Sequence, residues 1–112
     1  MDQILDKEAL METIDNNIDL LNELIRLYMT NLSNLMTRIK EGVLKKDSSM
    51  IEHSAHALKG MSYNISAQRI ASAALTLEKI GRSNDLTQAQ DMYAALEKEA
   101  RELEKMLNEI LG

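Results

Sequence analysis

The sequence predicts an all-α protein: an antiparallel up-and-down four-helix bundle with a short additional N-terminal helix. Three observations predict it. Apolar residues recur at spacings of three and four along four long stretches. Proline is absent, so nothing forbids long uninterrupted helices. Leu, Ala, Glu, Lys and Met are among the commonest residues, whereas valine occurs once.

Taken in order, the first helix is expected from about Asp6 to Ile14. Asp15, Asn16 and Asn17 then form a polar break able to cap the second helix. From Ile18 the stripe Leu21, Leu24, Tyr28, Leu32, Leu35 and Ile39 marks one face of that helix, about six turns long. Lys45, Lys46 and Asp47 end it, with Asp47 as N-cap of the third. The third helix carries Ile51, Ala55, Leu58, Met61 and Ile65. Asn64–Ala67 leaves room only for a tight turn before Ile70, Ala73, Ala74 and Leu77, which requires the two helices to be antiparallel neighbours. Gly81–Asp85 reads as a loop. Thr87 with Gln90 resembles a capping box, opening a last helix with Met92, Ala95, Leu96, Leu103, Leu107 and Leu111. Up-and-down connection is the simplest arrangement that buries all four stripes.

At 112 residues the chain is expected to form one domain over residues 1–112. Its 45% hydrophobic content suffices for a core. Lacking cysteine, it has no disulfide scaffold, thiolate zinc site or cysteine nucleophile. Thirteen Lys and Arg against eighteen Asp and Glu give a net charge of −5, which repels a phosphate backbone, and three tyrosines are too few for base stacking. No apolar run approaches a membrane span. The expectation is a cytoplasmic monomer with neither nucleic acid nor membrane as partner. The eight methionines read as gap-filling core residues. The alternating charges from Glu97 to Lys105 read as a solvated helix face.

Chemistry has few places to live. Both histidines lie in Glu52-His53-Ser54-Ala55-His56-Ala57-Leu58-Lys59-Gly60. At about 100° per residue, the stripe of Ile51, Leu58 and Ile65 centres roughly opposite His56, while Glu52, His53, Lys59, Gly60 and Tyr63 share its side. His56 is thus expected to face solvent. Gly60 needs a reason, because glycine inside a helix costs about 1 kcal/mol relative to alanine. Above an exposed histidine it leaves space for something to approach the ring. His56 lies ten residues before Ser66 and Glu78 twelve after, so a hairpin brings them to nearly the same height. Glu78, on the flank beside Leu77, can face the third helix, and Arg82 stands on its side one turn on. A carboxylate bound to one imidazole nitrogen fixes the tautomer and leaves the other lone pair outward.

Other chemistries fit less well. Glu52, His53 and His56 form an outward trio for zinc, but no cysteine supports them. A di-iron bundle needs two inward Glu-x-x-His units. A Ser-His-Asp hydrolase needs an oxyanion hole and pocket. Gly-rich phosphate loops are missing.

Ala55-His56-Ala57-Leu58-Lys59-Gly60, with Asn64-Ile65-Ser66-Ala67 and Leu77-Glu78, resembles the histidine-containing phosphotransfer (HPt) domains of bacterial multistep phosphorelays. Asn17-Ile18-Asp19-Leu20-Leu21 resembles the opening of that family's second helix, and Gly81–Asp85 its loop before the last. The sequence departs at Ser66, where the family has glycine, and at Leu27-Tyr28-Met29, where phenylalanine is common. The resemblance implies a four-helix bundle with the phosphoryl group on His56. It implies that Lys59 neutralises the phosphoryl oxygens, Gly60 admits the partner, Glu78 hydrogen-bonds the ring and Arg82 adds a basic group. Expected partners are response-regulator receiver domains and a hybrid sensor histidine kinase, with Ala57 and Met61 as apolar docking contacts. Mg²⁺ would come from the receiver, with no cofactor of the chain's own. A carrier, not an autonomous kinase, is implied. The alternative is a non-phosphorylated helical adaptor, which would have no need of His56, Lys59 and Gly60 together.

Overall fold

The computed structural model describes residues 3–112. Five helices follow one another: α1 (Lys7–Thr13), α2 (Ile18–Lys45), α3 (Ser48–Asn64), α4 (Gln68–Ser83) and α5 (Ala89–Leu111). No strand occurs among the described residues. At about 1.5 Å per residue, the 28 residues of α2 account for nearly all of the 43 Å long axis.

The helix starts are set by side-chain oxygens. Asp6 accepts the Ala9 N–H at 3.0 Å, Asn17 that of Leu20 at 3.1 Å and Asp47 that of Met50 at 3.0 Å. Each such cap contributes about 1 kcal/mol. Lys46, Ser66 and Asn84 turn the chain out of α2, α3 and α4 with φ of 56°, 62° and 64°. At Ser66 the turn has paired bonds: Ser66 N–H to Tyr63 C=O, and Ala67 N–H to Ser62 C=O. The Ser66 carbonyl in turn accepts the Asp6 N–H at 2.9 Å, pinning the start of α1 to the α3–α4 turn.

The helices close a ring in which α2 packs on α3, α3 on α4, α4 on α5 and α5 on α2. Inside it lie Leu21, Ile25, Leu32 and Ile39 of α2, Ile51, Ala55 and Leu58 of α3, Ile70, Ala74 and Leu77 of α4, and Leu96, Leu103 and Leu107 of α5, all buried. Leu10 of α1 joins the same core. A polar pair is enclosed as well: the Tyr28 hydroxyl and Ser62 Oγ lie 2.7 Å apart, linking α2 to α3. Burial pushes the Tyr28 phenol well above its ordinary range, although Ser62 opposes the shift.

Two glycines set the register of α3. A Cβ on Gly81 would come within 2.7 Å of the Glu52 amide nitrogen and 2.8 Å of the Ser48 carbonyl oxygen. One on Gly42 would meet Ile51 Cγ1 at 2.9 Å. Backbones therefore approach closely on both sides of the first turns of α3. With Gly81 against Glu52, Glu78 falls opposite His56, one turn away along each antiparallel helix.

Four expectations need correction. Gly81–Asp85 is not all loop, because α4 runs through Ser83; Gly81 is there for close packing, not chain reversal. The Thr87–Gln90 capping box does not form. Thr87 instead gives its hydroxyl (2.7 Å) and N–H (3.2 Å) to Asp85, and α5 begins at Ala89 without a side-chain cap. Ala95 is exposed, and the stripe of α5 is carried by Ala89, Leu96, Ala100, Leu103 and Leu107. The charged run after Glu97 is only partly a solvated face: Glu99 and Glu102 reach Arg69 of α4 at 2.9 and 3.0 Å. No helix among the described residues is long and apolar enough to cross a membrane.

Candidate functional site

His56 projects from the middle of α3 with 67% of its side chain exposed. It follows Ala55 and precedes Leu58, both fully buried, so the helix turns the imidazole outward while those neighbours anchor it. Its Nδ1 lies 2.8 Å from Oε2 of Glu78, which comes from α4.

Glu78 is the hub of the site. It is buried to 2% exposure, deeper than its expected place on a flank. Around it stand Lys59 Nζ, 2.7 Å from Oε1, and Arg82 Nη2, 2.8 Å from Oε2. A buried carboxylate without such partners would take up a proton. Here the bond from Lys59 holds the Glu78 carboxyl below the ordinary carboxylate range against the opposing effect of burial, and the His56 bond adds to the depression. Glu78 is therefore ionised near neutrality and can only accept. The proton in the His56–Glu78 bond then belongs to Nδ1, and Nε2 carries its lone pair toward solvent. The geometry orients the imidazole with Nε2 outward and places a carboxylate against Nδ1 that can offset positive charge on the ring.

The structure brings His56, Lys59, Glu78 and Arg82 together across the α3–α4 pair. Gly60 lies one turn beyond His56 on the same exposed side, and a Cβ there would meet nothing within 4 Å. Unlike Gly42 and Gly81, it serves no internal approach. Two pairings go beyond the sequence expectation. Lys59 is docked on Glu78 instead of standing free, and Glu52 takes the Arg82 Nε at 3.2 Å. The hairpin count that matched Glu78 with His56 carried the signal for the second, since Glu52 and Arg82 are each four residues further out. The zinc trio is not assembled: Glu52 faces Arg82, His56 faces Glu78, and His53 Nδ1 lies 3.2 Å from the Ser49 hydroxyl. Among the described residues no group of three or more His, Asp or Glu stands together as a metal cage.

Beside His56, an open groove between α2 and α3 is lined by Asn31, Asn34, Leu35, Arg38, Ala57 and Met61. Ala57 and Met61 were expected at a docking face; the α2 residues were not, because their polar spacing looks like any solvated helix side.

Comparison with known proteins bears on this arrangement. The family model described as "Hpt domain" matches residues 23–111. A crystal structure of histidine-containing phosphotransfer protein B (HptB) from Pseudomonas aeruginosa PAO1 has the same fold, with a TM-score of 0.90 over 97% of this chain and 95% of that one, at 20% identity. No curated protein matches the sequence.

Proposed function

The chain belongs to the Hpt domain family, and from that premise we propose that it is a phosphorelay intermediate that accepts a phosphoryl group on His56 from a receiver-domain aspartate and passes it to another receiver. The observation that carries this reading is the exposed ring with Nδ1 held 2.8 Å from Glu78, so that Nε2 faces outward. The Nε2 lone pair attacks the phosphorus of the aspartyl phosphate. The N–P bond forms as the O–P bond breaks, and the bonding electrons leave with the aspartate carboxylate. The ring keeps its Nδ1 proton and becomes positively charged, which Glu78 offsets. Such transfer consists mostly of positioning and charge neutralisation.

In this reading Lys59, only 21% exposed, exchanges part of its contact with Glu78 for the incoming phosphoryl oxygens. Arg82 completes the neutralisation of Glu78. Gly60 leaves the partner room above the ring, and the receiver docks over the α2–α3 groove with Ala57 and Met61 beneath it. Mg²⁺ is the receiver's contribution. The protein acts as a cytoplasmic monomeric carrier, without kinase activity of its own.

The test is incubation with a panel of phosphorylated receivers, including one from a hybrid sensor kinase. Wild type should acquire an acid-labile, alkali-stable phosphoryl adduct that His56→Gln does not. Label on the variant, or none on wild type with any receiver, overturns the reading.

A further inference from the structure

Arg82 is the most exposed cation of the site, with 63% of its side chain in solvent, yet it is engaged at both ends. Its Nη2 donates to Glu78 Oε2 and its Nε to Glu52 Oε2. Glu52 stands four residues before His56, on the same side of α3. An unattached guanidinium at this position would be drawn to a dianionic phosphoryl group, for which its fork of donors is well matched. Glu78 alone holds only the Nη2 end and leaves Nε free to turn toward the phosphoryl oxygens. The second carboxylate commits the remaining end.

We propose that Glu52 is a positioning residue that acts through Arg82: it tethers the guanidinium away from phosphohistidine and so keeps the phosphoryl group labile enough to pass on. This rests on the reading of His56 as the carrier. Loss of the group by hydrolysis reports the lability directly. Water oxygen bonds to phosphorus, the N–P pair returns to Nε2, and inorganic phosphate leaves with both water protons. In a loose, metaphosphate-like transition state for hydrolysis the phosphoryl oxygens carry less charge than in the dianionic ground state. A guanidinium bound to them therefore stabilises the ground state more and slows that step.

The experiment phosphorylates the whole protein with phosphoramidate, which needs no receiver, and follows the decay of phosphohistidine by ³¹P NMR. Glu52→Gln should lengthen the half-life roughly two- to five-fold, the range an exposed ion pair supports. In an Arg82→Gln background the same substitution should change the half-life little. Glu52 is partly exposed and packs on Gly81 through its backbone, which the substitution leaves in place; retained helical circular dichroism and the His56 Nδ1–H resonance verify the fold of each variant. An unchanged or shortened half-life in Glu52→Gln overturns the tether while leaving the carrier reading standing. Equal lengthening with and without Arg82 also overturns it, assigning the effect to the charge of Glu52 itself. Failure of wild type to form phosphohistidine, with receivers or phosphoramidate, defeats the carrier reading and the tether with it.

Discussion

Gly60 and His56 share an exposed face, and Gly60 is the residue at which stability and function separate most cleanly. It lies inside α3, where glycine is about 1 kcal/mol less favourable than alanine, and a Cβ would meet nothing within 4 Å. Gly60→Ala should therefore raise unfolding free energy by about 1 kcal/mol in urea melts. The same methyl group would stand on the surface proposed to meet a receiver, so on that reading transfer from a phosphorylated receiver should slow. Opposite movement of the two readouts assigns Gly60 to docking; a more stable protein with an unchanged transfer rate removes it from the site. His56 was legible in the sequence because exposure follows from helical phase alone, and phase is fixed by fully buried neighbours such as Ala55 and Leu58. The burial of Glu78 was not. Carboxylates are rarely enclosed, and nothing in one dimension reports that Lys59, Arg82 and His56 converge on the same two oxygens.

Among the elements, the α3–α4 hairpin determines the site, and its turn carries a small removable cost. Ser66 adopts φ of 62°, a region in which a Cβ costs about 1–2 kcal/mol and glycine is unpenalised. The turn keeps the geometry that suits glycine despite holding serine, because its two backbone bonds and the Asp6 contact demand it. Ser66→Gly should stabilise the protein by about 0.5–1 kcal/mol, the relieved strain being partly offset by the greater freedom of glycine in the unfolded chain. Denaturant unfolding checks this, with helical content unchanged. The hairpin was legible as an element because two apolar stripes flank a turn too short for anything but antiparallel return. The end of α4 was not, since Gly81 reads equally as a breaker or as a site of close approach. Only the Glu52 amide 2.7 Å from its missing Cβ decides. Thr87 departs from the capping pattern for a related reason: its hydroxyl has a choice of partners, and Asp85, two residues back, wins.

For the molecule as a whole, the same hub that orients the imidazole also fastens α3 to α4, so the site and the stability of the bundle share one ionisation. The folded state holds Glu78 below the ordinary carboxylate range, chiefly through Lys59. A depressed folded pKa contributes stability that is fully present above the unfolded value, ~4.3 for glutamate, and lost as pH falls through the folded one. Wild-type melting temperature should accordingly hold from neutrality to about pH 5 and then decline as the hub is protonated. Glu78→Gln leaves Lys59 and Arg82 without their buried counter-charge, so the variant should melt lower at pH 7. It has no carboxylate at this position to protonate, so it should lose less on acidification. The gap between the two melting curves should then narrow below about pH 5. Asp85, whose carboxyl is also lowered by bonds from Thr87, is common to both proteins and largely cancels in the difference. Thermal melts at half-unit steps from pH 7 to 3 provide the comparison. A gap that stays constant with pH would mean that Glu78 holds the helices by shape and hydrogen bonding alone, and that its charge is not what couples the His56 site to the fold.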